Sequence, residues 1–349
     1  MKRLLLIPYR YFRFIQYFIA NFKPIGISNI IWCLFNGFFP KNFILFKLAT
    51  SNPSEFVTDY EENFRVCRIN KNTEILNNKL LFPEVIGSYF KTPETRALIY
   101  AGKFLPYHTA SSFDEQAAIL HLKTSGPLIL KPFDGDGGIG IVKVSCINEE
   151  IFQWNGVEIT KDKLLKNFST LNGYMVSDFV NQASYSNTIF SGSVNTIRLL
   201  TMVDPQTGEP FIGAAAHRIG NSGSAPVDNC AMGGYTAAID LETGKLSAAT
   251  ATKFKSSTPP YYATHPDSGA PIEGVVIPNW KELEKEVLSL HSKLRFISYI
   301  GWDIVAGEDG NFYILEGNDG ADLKLHQAHA PLLQNPAVKA FYKYHKAIK

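Results

Sequence analysis

The apolar and polar positions divide the chain into an aromatic opening, a mixed middle and a long run of alternating segments. From Met1 to Lys47 aromatics crowd together, among them Tyr9, Tyr11, Phe12, Phe14, Tyr17, Phe18, Phe22, Trp32, Phe35, Phe38 and Phe39. Pro8, Arg10 and Arg13 interrupt the first apolar run and Pro24 ends it, short of the roughly 20 apolar residues a membrane crossing needs. A secretory signal, with its short uncharged core and small-residue cleavage site, is not found either. Two arrangements fit this segment. It forms helices packed on the rest of the protein, or a basic aromatic surface whose Lys2, Arg3, Arg10 and Arg13 meet anionic headgroups.

Thr50 to Glu62, rich in Ser, Asn, Pro and acids, reads as a linker, and Glu74 to Phe82 as a helix. Lys91-Thr-Pro-Glu94 is a break before a strand at 96–100. A helix over 113–123 is expected, capped by Ser111 or Ser112. After Pro127 the pattern changes to β-branched and aromatic runs at 128–133, 139–144, 174–180 and 194–203, which read as strands. Asp204-Pro-Gln-Thr-Gly208 and Asp240-Leu-Glu-Thr-Gly244 read as hairpin turns between apolar segments. Leu283, Val287, Leu290, Leu294 and Ile297 at helical spacing predict an amphipathic helix over 279–299. Hairpins with few helices between them predict an antiparallel α+β protein and not a doubly wound one.

A length of 349 residues calls for two or three packed subdomains. The net charge of +2 makes no electrostatic trap for nucleic acid. The later two-thirds of the chain also lacks a basic cluster interleaved with stacking aromatics, so no nucleic-acid partner is expected. Cys33, Cys67, Cys146 and Cys230 lie far apart, which fits neither a disulfide framework nor a zinc site and predicts reduced thiols in a cytoplasmic protein. Cys230 sits in a glycine-rich loop with no partner indicated for nucleophilic work.

The first chemical signal is Leu128-Ile-Leu-Lys-Pro-Phe-Asp-Gly-Asp-Gly-Gly-Ile-Gly-Ile-Val-Lys-Val144. Its glycines at 135, 137 and 140 satisfy G-x-G-x-x-G, but a dinucleotide fold needs a helix after the loop, and here a strand is predicted. The Gly-Lys-Ser/Thr ending of a P-loop is missing, as are the H-R-D and D-F-G motifs of kinases. A glycine hairpin can close over phosphates with its backbone N–H groups, and Lys131 on the preceding strand would add a point charge. The alternative is a tight glycine turn beside an exposed lysine.

The second signal is the hairpin from Gly301 to Asn318. With a turn at Gly307-Glu-Asp-Gly310, Ala306 should oppose Asn311 and Asp303 should oppose Ile314. Glu316 is then diagonal to Asp303, with Asn318 on the same face. Trp302, Ile304, Tyr313 and Leu315 would face the core. Two carboxylates and an amide oxygen on neighbouring strands make a hard-oxygen site suited to Mg²⁺ with nucleotide phosphates. Strand-end polar residues at a solvent edge are the alternative.

On these residues the chain resembles the ATP-grasp superfamily, in which two α+β lobes with antiparallel sheets clasp ATP. Lys131 and Asp134, Gly135, Gly137, Gly138 and Gly140 look like its strand lysine and glycine flap. Asp303, Glu316 and Asn318 look like its Mg²⁺ ligands. Tyr174 to Val180 is similar to the segment whose backbone reads adenine, with Asp178 and Val180 as contacts, and Lys79 is similar to an earlier phosphate-binding lysine. Within the superfamily, Val194 to Thr201, Ala216-His-Arg218, Val227-Asp-Asn229, Gly233-Gly234 and the ending Glu316-Gly-Asn-Asp resemble the sugar-transfer-associated ATP-grasp family. The superfamily resemblance covers about 70–335. Ligases of the D-alanine–D-alanine type carry an arginine two positions before the metal aspartate, and here that position is Gly301.

Four parts are expected: an aromatic-rich helical segment at 1–50, a region before the ATP-grasp lobes at 51–105 and, as the resemblance implies, a small lobe with the glycine flap at 106–180 and a large lobe with the metal site at 181–349. The resemblance also implies a carboxylate–amine ligase that makes an acyl-phosphate with ATP and Mg²⁺. Arg198 or Arg218 would serve as catalytic residue beside Lys131, and Asp228, Asn229 and Arg218 would face the substrate. The family's name points to cell-surface glycan synthesis, in the cytoplasm or at the inner membrane face. A small-molecule kinase could use the same nucleotide site, and an inactive nucleotide-binding module is a third reading that the intact lysine and metal residues disfavour. His217, His326 and His329 are expected as structural residues.

Overall fold

The computed structural model describes residues 2–107, 113–135 and 137–348, with side chains described from residue 9 onward. Ser111, Ser112 and the side chains of Lys2, Arg3 and Pro8 therefore lie outside the described residues. The aromatic opening forms α1 (Lys2–Ala20), α2 (Ile27–Asn36) and α3 (Pro40–Leu45). Their inner faces meet in an apolar cluster containing Phe14, Phe18, Cys33, Phe38, Phe39 and Leu45, which reaches Ala328 and Phe254 of the main body. Lys23 donates to the carbonyl of Phe254 at 2.9 Å. The expected linker holds α4 (Asp59–Phe64), started by a reciprocal cap between Thr58 and Glu61, a Thr-x-x-Glu signature. Val57 trades two backbone hydrogen bonds with the Gln327 amide, at 2.8 and 2.9 Å, tying this region to the far end of the chain.

The helix expected over 74–82 is two short ones, α5 (Glu74–Asn77) and α6 (Leu81–Ile86). Asn78 breaks them apart because its side-chain oxygen accepts from the N–H groups of Leu80 and Leu81 at 2.9 and 3.1 Å. The first sheet contains β1 (Thr95–Tyr100), β2 (Lys103–Pro106), β3 (Leu128–Pro132), β4 (Val142–Cys146), β5 (Ile151–Trp154), β6 (Val157–Thr160) and β7 (Tyr174–Asp178) in the order β2-β1-β7-β3-β4-β5-β6. One face is packed by α7 (Glu115–Thr124) and α8 (Lys161–Thr170) around Leu128, Leu130, Val144, Phe152 and Phe168. α7 takes its cap from Asp114, whose carboxylate accepts from Ala117 N at 2.9 Å, in place of the expected serines.

After α9 (Ser184–Ile189) come β8 (Ile197–Val203), β9 (Pro210–Ile219), β10 (Tyr235–Ala238), β11 (Ala249–Ala251) and β12 (Tyr261–Tyr262). α10 (Trp280–Lys293), β13 (Tyr299–Ala306) and β14 (Phe312–Asn318) complete the second sheet, ordered β12-β11-β10-β9-β8-β13-β14. Both sheets are antiparallel among the described residues, as the α+β expectation required. The Asp204 and Asp240 turns are alike: each carboxylate accepts N–H groups inside its own turn, and Gly208 and Gly244 have φ near +73° and +72°.

One face of the second sheet carries Ile197, Leu199, Trp302 and Ile304 against α10, which ends at Lys293, earlier than expected. The other face is divided. Leu200, Met202 and Tyr299 are covered by α12 (Pro336–Tyr344), which follows α11 (Lys324–Gln327). Farther along the same face, Arg198 and Asp303 pair across β8 and β13. This end turns toward the first sheet.

Candidate active site

The glycine segment is the tip of a β3–β4 hairpin, with the second strand starting at Val142 and not at 139. Gly137, Gly138 and Gly140 hold φ of +64°, +84° and +78°, which side chains rarely adopt. The hairpin is held from both sides. Lys79 donates to the carbonyl of Gly135, and Asn229 Nδ2 donates to that of Gly137 at 2.7 Å. A Cβ on Gly138 would lie 3.2 Å from Val227 Cγ1.

The acidic hairpin departs twice from the expected register, by one residue each in the same direction, and the combined shift of two residues returns Glu316 to the face of Asp303. Its loop is Glu308-Asp309-Gly310, with Gly310 at φ +81°, so Ala306 faces Phe312 and not Asn311. A bulge at Leu315 then adds a residue, and Asp303 pairs directly with Glu316 instead of diagonally. Asn318 still shares their face, its amide 3.4 Å from Glu316 Oε1. Phe312 and Ile314 face the core in place of Tyr313 and Leu315, and Leu315 is turned into the cleft. The carboxylates converge as expected, by a different route.

Asp303 is fully buried and its two oxygens are held by arginines. Arg198 Nε and Nη2 reach Oδ1 and Oδ2 at 2.5 and 3.1 Å, and Arg218 Nη2 reaches Oδ2 at 2.9 Å. Burial opposes its ionisation, but Arg198 and Arg218 outweigh that and hold it well below the usual carboxylate range. Glu316 is pushed up to about 7, by burial first and then by the Asp303 charge opposite it. Burial also lowers Lys131; Glu316 and Asp303 oppose this shift, and Lys79 adds to it. Arg218 Nε donates to Thr196 Oγ1 at 2.8 Å, and Asp228 accepts from Thr196 N and Oγ1 while lying 3.3 Å from Arg218.

Two cavities between the sheets, about 440 and about 710 Å³, share Pro93, Lys131, Ser177, Leu315 and Glu316. The first also takes in Gly137, Gly138, Asp178, Val180, Arg218, Asp228, Asn229 and Asp303. The second takes in Lys79, Asp134, Gly135 and Asn318. Gly140 lines neither cavity and closes the hairpin against Pro132 and Tyr174. Arg198 also lines neither: it runs behind Asp303, and its Cδ lies 3.6 Å from where a Cβ on Gly301 would stand. The Asp178 carboxylate is bound by Arg96 at 2.9 and 2.7 Å, with His121 at 3.3 Å.

The donor set fits a hard divalent cation. Two opposed carboxylates are joined by an amide, although no trio of His, Cys, Asp and Glu suited to a metal occurs among the described residues. Ser177 is a site residue that carried no chemical signal in the sequence. Its hydroxyl is buried, lacks a partner and stands on the wall common to both cavities, where a bound ligand could satisfy it. Ile129, Phe179 and Leu315 supply an apolar wall, and only the tertiary fold gathers them.

Comparison of the sequence with curated proteins gives no match. Among solved structures, N5-carboxyaminoimidazole ribonucleotide synthetase from Thermotoga maritima is similar at 12% identity and a TM-score of 0.36, over 70% of this chain and 42% of that one. The ATP-grasp ligase PsnB in complex with a minimal precursor is similar at 14% identity and 0.38, over 77% and 61%. An L-amino acid ligase from Bacillus licheniformis gives 10% and 0.37, over 72% and 43%. The chain thus spans about 42–61% of the length of these structures. A family model for sugar-transfer associated ATP-grasp proteins matches residues 58–337, and the chain belongs to that family.

Proposed function

We propose that this chain is an ATP-dependent ligase that activates a carboxylate as an acyl-phosphate and joins it to an amine. The observation that carries the reading is the pairing of Asp303 with Glu316 across a bulge, with Arg218 on Asp303 and Lys131 facing them in one cleft. In this reading Lys79, Lys131 and the backbone N–H groups of the 134–140 hairpin hold the polyphosphate, and the chain at Asp178 to Val180 lies along adenine. Asp303, Glu316 and Asn318 would hold Mg²⁺, which supplies positive charge against the phosphates. A substrate carboxylate oxygen bonds to the γ-phosphorus, the bridge to the β-phosphate breaks, and ADP departs. The amine nitrogen then bonds to the acyl carbon, inorganic phosphate leaves, and the amine's proton passes to solvent.

The two candidate arginines take different roles. Arg218 lines the cavity and would face the transferred phosphoryl group, whereas Arg198 sits behind Asp303 and positions it. Asp228 orients Arg218, and with Asn229 it bounds the space left for the acceptor. The four-part division at 1–50, 51–105, 106–180 and 181–349 goes with this reading. So does a role in cell-surface glycan synthesis, with the enzyme cytoplasmic or at the inner membrane face.

The test is ATP turnover with Mg²⁺ and hydroxylamine against uronic acids, amino acids and short peptides, reading both phosphate and hydroxamate. Hydroxamate with one carboxylate is the expected result. ADP release with a phosphorylated product that survives hydroxylamine would overturn the ligase reading in favour of a small-molecule kinase.

A further inference from the structure

Residues 1–54 contain seven lysines and arginines and no aspartate or glutamate, leaving 27 of the 34 basic residues against all 32 acidic ones in the remainder. The same segment exposes apolar side chains in an ordered way. On α1, Tyr9, Phe12 and Ile19 lie at helical spacing and are 58%, 61% and 67% exposed, while Phe14 and Phe18 on the opposite side are buried in the core. On α2, Ile27, Ile31 and Phe35 follow at intervals of four and are 78%, 50% and 77% exposed, with Cys33 buried behind them. A helix packed on a soluble body normally turns polar residues to water. Both helices here are apolar outside as well as inside. Of the 21 exposed large hydrophobic side chains among the described residues, eight fall between Tyr9 and Phe35, which is a concentrated patch and not scattered exposure.

Arg13 follows Phe12 directly and so borders the α1 stripe at about 100° around the helix, whereas Arg10 is half-buried, with its Nε enclosed by protein. A segment whose charges are all of one sign and which exposes an apolar face suits an anionic sheet of charge better than a protein surface of mixed sign. The same arginines keep α1 from spanning a bilayer, and no helix among the described residues is long and apolar enough to cross one. We infer that the outer faces of α1 and α2 are a docking surface for an anionic lipid bilayer, lying in its headgroup region. The stripes would enter the acyl boundary while the basic residues meet lipid phosphates. The interlobe cleft plays no part in this inference, so it stands or falls separately from the ligase reading.

The test is co-sedimentation of the full chain with phosphatidylcholine vesicles, with and without phosphatidylglycerol. Its comparison variant is Phe12→Glu/Ile31→Glu/Phe35→Glu. These side chains are exposed, so the variant should keep the parent's melting temperature and binding of ATP. The parent should pellet with the anionic vesicles, less so at high salt, and the variant's partition should fall roughly tenfold or more. A parent that stays in the supernatant, or binds neutral vesicles equally well, would overturn the inference. So would a parent dimer that the three substitutions dissociate without any vesicle binding, because the occupant would then be a second copy of this chain.

Discussion

At the residue scale, the centre of the site is one buried carboxylate shared by two arginines with different surroundings. Arg198 forms a two-point contact with Asp303 and is almost fully buried, so Arg198→Ala leaves a buried charge with one partner fewer. Breaking such a pair should lower stability by about 3 kcal/mol in a denaturant titration. Arg218 keeps its contact with Thr196 and Asp228 while facing the cavity. Arg218→Ala should lower kcat by roughly a thousandfold or more, with ATP binding retained in a calorimetric titration. Full turnover in both variants would remove arginine from the mechanism. The sequence named both arginines as candidates. What separated them was register: Arg198 faces Asp303 from the adjacent strand and lines neither cavity, whereas Arg218 lines the first.

At the scale of elements, the glycine hairpin is fastened to both neighbours. Asn229 holds it from the β9–β10 connection, and Lys79 from the α5–α6 break. Asn229→Ala removes one neutral hydrogen bond, worth about 1 kcal/mol, and should raise KM for ATP roughly fivefold. Gly138→Ala forces a side chain into φ +84° against Val227, a strain of about 1–2 kcal/mol, so it should weaken ATP further and also lower the melting temperature by a few degrees. Steady-state kinetics over an ATP series would check both, and an unchanged KM in each would mean that the fastened hairpin is not what ATP meets. Most elements were legible in the chain because their apolar periods are local. The exceptions were decided by single polar side chains, as when Asn78 split one predicted helix and Asp114 replaced the expected serine cap.

At the scale of the whole molecule, buried titratable groups of both kinds set the pH range of stability. Burial lowers His217, His291 and His329 to about 4 and His326 to about 3. Their contribution is fully present above the ordinary histidine value near 6.5 and is lost as pH falls through those folded values. Asp59 is raised to about 7 and Glu62 to about 8, again by burial. These acids stabilise fully below their ordinary values near 4, and that contribution is lost as pH rises through 7 and 8. The two trends oppose each other between about pH 4.5 and 6.5. Four histidines outweigh two acids in that window, so metal-free thermal melts should rise through it, peak near pH 6.5 and decline above, and a melting temperature that rose steadily to pH 9 would contradict this balance.

The sequence by itself determined that strand hairpins would build an antiparallel α+β protein, and it pointed to Lys131, the glycine segment, Asp303, Glu316 and Asn318. Those signals rest on residue type and short spacing, which act locally. The sequence also showed that the opening segment is aromatic and basic, but left open whether it packs or faces a membrane. Packing of α1 to α3 on Phe254 and Ala328 was a tertiary outcome, since those contacts join positions more than 200 residues apart. The bulge at Leu315 was tertiary as well. An added residue in one strand is invisible until its partner's register is known, and that register sets which side chains meet in the cleft.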